Sequence, residues 1–266
     1  MHSLDRFAQD KIDDLKRRHL YRALNETVRE DNIWVDREGR QLLSFSCNDY
    51  LNLTQHPAIK QAAVAAIEKF GAGSGASRLV TGNHPLYAQL EARLAQFKRT
   101  EAACVFGSGY LANTGIIPVL AGPGGLVLLD ELSHACIYAG AQLSCSNVLT
   151  FRHNDTGHVR DLLAAHRAEH ERTLIVTDGV FSMDGDLAPL AELLVLADKY
   201  DAWLMSDDAH GIGVVGGGRG SSFAGNSHVP APLQMGTLSK AIGSYGGYLC
   251  ASKLVIELMR NRARTL

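Results

Sequence analysis

Cysteine is scarce in this 266-residue chain, and Cys47, Cys104, Cys136, Cys145 and Cys250 are odd in number with no C-x-x-C pair. That excludes a disulfide framework and a zinc ribbon, and leaves them as small core residues. An excess of charge of one sign is also missing. A net charge of -2, with Lys and Arg scattered, gives no footprint for nucleic acid, so a small-molecule partner is expected. No apolar run approaches the length of a membrane span, and the opening "MHSLDRFAQDKIDDLKRRHL" has no apolar signal core. The expectation is a cytoplasmic protein without a membrane partner. Walker-type lysine motifs and G-x-S-x-G are absent. "HRAEH" spaces His166 and His170 four apart but puts Arg where H-E-x-x-H needs Glu, and His153 and His158 only flank a turn, so no metal is expected.

What is present is a chain that is 46% hydrophobic and 20% charged, enough to bury a sizeable core. From about Thr100, apolar runs ("AACVF", "GLVLLD", "NVLTF", "TLIVTD", "AWLMSD") alternate with amphipathic stretches such as "VRDLLAAHRAEH" and "LAPLAELLVLADKY". This alternation predicts an α/β fold, a parallel sheet with helices on its faces. Residues 1–45 read as an N-terminal helix followed by a short strand pair around "NIWVDREGRQLLSF", and residues 46–266 as the main domain. Helices are expected at "HPAIKQAAVAAIEKF" and from Pro85 to about Lys98.

Ligands of open α/β sheets sit beyond the carboxyl ends of strands, and four of those ends carry polar chemistry. "GSGYLANTG" after the first run presents a glycine turn and a helix N-terminus, which suits a phosphate. Gly107, Gly109 and Ala112 also match the dinucleotide pattern G-x-G-x-x-A, with Asp130 at nearly the expected distance, so a nicotinamide-dependent oxidoreductase is a rival. A second match, "GIGVVG", reads as a flexible loop. His134 opens a helix in "ELSHACI". "GVFSMDGDLAPL" is a polar turn in which Asp186 reads as a helix cap. Asp207 and His210 crowd the end of a buried strand in "DDAHGIG", where a carboxylate needs a cation.

The stretch "GTLSKAIGSYGG" sets Lys240 in a bed of small residues, where a crowded amine can form a Schiff base. A phosphate turn, a histidine, an Asp-x-x-His strand end and such a lysine together describe a pyridoxal phosphate site.

"DDAHGIG", "GTLSKAIG", "TDGVFSMDGDLAPL", "NDYLNL" and "GAGSGASRLVTGNHPLYAQLE" resemble the α-oxoamine synthases, fold type I pyridoxal phosphate enzymes, and the last is most similar to the biotin-pathway branch. The resemblance runs from about Arg22 to the end. It implies the large domain of a fold type I transferase, with a mostly parallel sheet and helices on both faces. It also implies that the smaller C-terminal domain of the family is absent, since the chain stops at "ELMRNRARTL" without a helix stop signal. Carried over by residue, Lys240 is the Schiff-base lysine and Thr237 a phosphate ligand. Gly109 and Tyr110 meet the phosphate, His134 stacks on the ring and meets substrate, and Asp207 pairs with the ring nitrogen. His210 and Ser182 reach the phenolic oxygen, and Arg22 binds substrate. Asp178 stands where the family has Glu, and "LSKAIGSYGG" replaces "LGKAFG". The implied reaction is decarboxylative condensation of L-alanine with a pimeloyl thioester of coenzyme A or an acyl carrier protein, in a homodimer. Glycine-using members of the family are the alternative.

Overall fold

The computed structural model of the protein describes residues 2–31, 33–225 and 227–266, leaving Asn32 of the expected strand pair outside the described residues. Two compact units are present, 1–47 and 48–266.

The first unit holds helix α1 (Ser3–Arg17) and three antiparallel strands, β1 (Val28–Asp31), β2 (Trp34–Arg37) and β3 (Arg40–Leu43). The expected pair is thus a triplet. Its extra strand, "VRED", has almost no apolar alternation to announce it.

The second unit begins with α2 (Pro57–Phe70) and α3 (Pro85–Lys98), each opened by a capping histidine and a proline at the first helical position. Then follow β4 (Ala102–Phe106), α4 (Gly109–Leu120), β5 (Gly125–Asp130), α5 (Ala135–Leu143), β6 (Asn147–Phe151), α6 (Thr156–His166), β7 (Arg172–Asp178), α7 (Leu190–Lys199) and β8 (Trp203–Asp207). Strands β9 (Leu233–Thr237) and β10 (Gly247–Ala251) and helix α8 (Lys253–Arg262) complete it. The strands form one sheet in the order β4-β10-β9-β8-β7-β5-β6, parallel except for β10, which runs antiparallel to both neighbours. The fold is α/β, as the alternation predicts, with one reversed strand.

The sheet is covered on both faces, which is why its central strands read as unbroken apolar runs. In β5, Val127 and Leu129 pack with Ile116 and Ile117 of α4, Ile137 of α5 and Met259 of α8. Leu126 and Leu128 face the other way, against Val159 and Leu163 of α6 and Leu193 of α7. Each such side chain contributes about 1.5–3 kcal/mol when fully buried. The carboxyl ends of β4, β5, β7, β8 and β9 consequently share one edge, and the residues that follow them are held there by a sheet that cannot shift register without exposing its core.

Two turn readings are corrected here. Asp186 does not cap α7, whose N-cap is Pro189 without a side-chain bond. Instead Asp186 Oδ2 accepts from His153 Nε2 and Asn154 Nδ2, both at 2.8 Å, while His153 Nδ1 meets Asp130 Oδ1 at 3.0 Å. The stretch read as a flexible loop is a hydrogen-bonded series of turns, with Gly213 N donating to Gly218 O and Gly220 N to Val215 O. Among the described residues, no helix is long and apolar enough to cross a membrane.

Candidate active site

A cavity of about 200 Å³ opens at the carboxyl edge of the sheet, lined by Ser108, Gly109 and Tyr110 after β4, His134 and Cys136 after β5, Asp178 at the end of β7, Asp207 and His210 at the end of β8, and Thr237, Ser239 and Lys240 after β9. Seven of the nine residues expected at the site are therefore brought together. Ser182 lies exposed on the turn after β7 and does not line the cavity. Arg22 lies exposed in the first unit, in the irregular segment after α1.

One end of the cavity is made for an anion. Ser108 caps α4 by accepting the Leu111 N–H at 3.1 Å, and the first helical residues, Gly109 and Tyr110, head the cavity with the positive end of the helix dipole. Glycine is needed for this close approach. A Cβ on Gly109 would come 3.3 Å from Met235 Cε and 3.4 Å from Thr237 Cβ, both of which belong to cavity-lining residues. Thr237 Oγ1 donates to Gly246 O at 2.8 Å and shares a 2.8 Å bond with Ser239 Oγ, so Ser239 is placed with it at this end.

The other end is made for a cation. Asp207 is buried, Oδ2 accepts from Asn113 Nδ2 at 2.7 Å and Oδ1 from the Ala209 N–H at 2.9 Å, yet it forms no ion pair among the described residues. Burial holds its carboxyl above the usual range. Its neighbour in register on β7 is Asp178, pushed up to about 8 by burial and by the Asp207 charge. Asp207 has two donors and Asp178 only one, the His134 N–H at 2.9 Å, so a proton taken up by the pair goes to Asp178. A cation against Asp207 would relieve both.

The amine lines the same cavity. Lys240 Nζ is 2.6 Å from His210 Nε2, and His210 Nδ1 is 2.7 Å from the Tyr50 hydroxyl. Burial lowers the Lys240 ammonium below its ordinary value. Burial and the Lys240 charge push His210 down to about 4, so its imidazole is neutral. Tyr50, Asn113 and Cys136 were not legible as site residues. Tyr50 left a trace only as part of the motif "NDYLNL", and Asn113 only as one of two polar residues in "LANTGII".

The same topology removes the oxidoreductase. A dinucleotide fold needs the strand after the glycine turn beside the first, but β5 lies five positions from β4, roughly 24 Å away at the usual strand spacing. Asp130 is also engaged, accepting from the N–H groups of Leu132 and Asn154 and meeting the His153 ring.

Residues 40–266 match the family model "Aminotransferase class I and II". The chain is 63% identical over 266 residues to an 8-amino-7-oxononanoate synthase of Beijerinckia indica, covering all of this chain and 69% of that one. It superposes with a TM-score of 0.89 and 31% identity on a serine palmitoyltransferase from S. paucimobilis with bound PLP–myriocin aldimine, covering 100% of this chain and 68% of that one. An 8-amino-7-oxononanoate synthase from Francisella tularensis superposes with a TM-score of 0.68 and 27% identity, over 83% of this chain and 63% of that one.

Proposed function

Because this chain belongs to the class I and II aminotransferase family, we propose that it is a pyridoxal phosphate-dependent acyltransferase of the 8-amino-7-oxononanoate synthase type. It condenses L-alanine with a pimeloyl thioester, releasing the carrier thiol and carbon dioxide to leave 8-amino-7-oxononanoate. The observation that carries this reading is Asp207, a buried carboxylate lining one cavity together with the N-terminus of α4 and the Lys240 amine. Few ligands other than a phosphorylated pyridine aldehyde offer a cation, a carbonyl and an anion together.

Pyridoxal phosphate, when bound, supplies an aldehyde that takes up an amine and a ring that withdraws electrons from the amino acid α-carbon. The residues' own tasks follow from their surroundings. Gly109, Tyr110, Ser239 and Thr237 would hold the phosphate. Asp207, oriented by Asn113 and the Ala209 amide, would pair with the ring nitrogen and favour its protonated form. Lys240, with its basicity lowered by burial, would serve first as nucleophile and then as the base that takes the α-proton. His210 is neutral and bridges Lys240 to Tyr50, which orients the amine. His134 would cover the ring and meet substrate oxygen. Arg22 and Ser182 keep the substrate-binding and phenolic-oxygen roles proposed from the family pattern.

A homodimer is proposed with this activity, supported by the apolar, exposed Val64 and Ile67 on α2. The test is to mix the cofactor-loaded protein with L-alanine and a pimeloyl thioester and to follow product by mass spectrometry and the cofactor's visible band by absorption. Product from L-alanine, with a band that responds to it, is expected. Turnover with glycine alone would move the protein to another branch of the family, and a protein that gives no visible band would end the proposal.

A further inference from the structure

The two ring nitrogens of His134 have different surroundings. Nδ1 receives the backbone N–H of Cys136 at 3.2 Å, the bond that caps α5. A backbone N–H can only donate, so this 3.2 Å bond favours a lone pair on Nδ1 and the ring proton on Nε2. The same Nδ1 lies 2.8 Å from Cys136 Sγ, which directs the thiol hydrogen to it as well. Burial pushes the Cys136 thiol up to about 12, so that hydrogen stays in place through the neutral range.

The thiol is itself held. Asn113 Nδ2 donates to Cys136 Sγ at 3.1 Å and to Asp207 Oδ2 at 2.7 Å, which uses both amide hydrogens. Asn113 Oδ1 is then buried with no partner among the described residues, at a cost of about 1–3 kcal/mol. Turning the amide over would strand the nitrogen instead and set Oδ1 against the Asp207 carboxylate. The donors therefore run one way: from Asn113 to Asp207 and Cys136, and from Cys136 to His134.

We propose that Cys136 and Asn113 are positioning residues that fix His134 as the Nε2-protonated tautomer, so that this ring offers a hydrogen-bond donor to a carboxylate or carbonyl oxygen of the substrate. The substrate contact rests on the function proposed above; the tautomer does not. The chain of donors also ties the side chain that would meet the ring nitrogen to the side chain that would cover the ring, so the two are set together as the strand ends of β5 and β8 come into place.

Nitrogen-15 NMR of protein labelled at the histidine rings tests this, with His134 assigned by the signals lost in His134→Asn. Spectra are recorded with and without pyridoxal phosphate. Wild-type protein and Cys136→Ser, which keeps a donor, should both show a bare Nδ1 and a protonated Nε2. Cys136→Ala keeps only the backbone N–H on Nδ1, so it should show a partly protonated Nδ1 and raise KM for L-alanine about fivefold, the worth of one hydrogen bond, with kcat within about twofold. A protonated Nδ1 in wild-type protein would overturn the proposal, even if Cys136→Ala does not fold. His134 signals unchanged in Cys136→Ala would overturn it too. A changed tautomer with unchanged KM would overturn the substrate contact. Because the spectrum of the cofactor-free protein reads the tautomer directly, failure of the proposed enzyme activity remains distinguishable from failure of this inference.

Discussion

Lys98 Nζ lies 2.7 Å from Asp208 Oδ2, and neither side chain has any solvent exposure. The lysine comes from the end of α3 and also donates to Arg219 O at 2.7 Å, while the Asp208 carboxylate accepts the Ser221 N–H. Asp208 follows Asp207 directly, so this pair anchors the strand end that presents Asp207 and His210. Breaking it leaves a buried charge without its partner. Lys98→Met is expected to destabilise the protein by about 3–5 kcal/mol, and Lys98→Met with Asp208→Asn to recover at least half of that, measured by denaturant unfolding. Equal losses in the single and double variants would show that the ion pair is not what anchors this segment.

Asp178 makes stability depend on pH. Its folded value is about 8 against 3.8 ordinarily, so between about pH 4 and 8 the folded state keeps a proton that the unfolded state has released. Its contribution is complete below pH 4 and is lost as pH rises toward 8. Unfolding of the cofactor-free protein should therefore become easier over that window, and Asp178→Asn should flatten the profile. Parallel profiles for the two proteins would mean that Asp178 is already ionised when folded.

Much of this was legible in the sequence, for a physical reason. Strands β5, β7 and β8 are buried on both faces and read as apolar runs, and His134, Asp207 and His210 stand at or after their ends, where the fold concentrates chemistry, while Lys240 showed through its bed of small residues. Strands β9 and β10 hid behind their glycines. A Cβ on Gly236 would lie 2.4 Å from the hydroxyl of Tyr248 on the neighbouring strand, so the glycine is there for the sheet and not to break it. The contacts of Tyr50, Asn113 and Cys136 were illegible because each depends on a partner distant in sequence. Nothing near Asn113 announces Asp207, and Tyr50 meets His210 only once the unit has folded.

Tyr50 gives the third prediction. Its hydroxyl holds His210 Nδ1 at 2.7 Å, and His210 in turn holds Lys240. Tyr50→Phe removes this bond and the hydroxyl's 3.2 Å bond to Asn48 Oδ1, both from a partly exposed ring, so unfolding should change little. The loss of about 1 kcal/mol of orientation corresponds to roughly a fivefold fall in kcat. The reactivity of the Lys240 amine toward an acylating label in cofactor-free protein should change with it. Unaltered labelling would place Tyr50 outside the machinery.

Two glycines at the phosphate end separate binding from folding. Gly109 is tight but can yield, since an added Cβ would stand 3.3 Å from the flexible end of Met235, which can give by a few tenths of an ångström, and 3.4 Å from Thr237 Cβ. Gly247 has none, because its Cβ would fall 2.4 Å from Ser108 O and 2.8 Å from Gly109 Cα, both backbone atoms. Gly109→Ala should thus fold normally and fill part of the anion site, weakening pyridoxal phosphate binding at least tenfold, a change of about 1.4 kcal/mol. Gly247→Ala should push the turn after β4 away from β10 and cost on the order of 1–3 kcal/mol of stability, as overpacking does, with cofactor loss as a secondary effect. Absorption titration with pyridoxal phosphate, alongside thermal unfolding of the cofactor-free variants, distinguishes them. If Gly109→Ala bound the cofactor as tightly as the wild type, the first turn of α4 would not be where the phosphate sits.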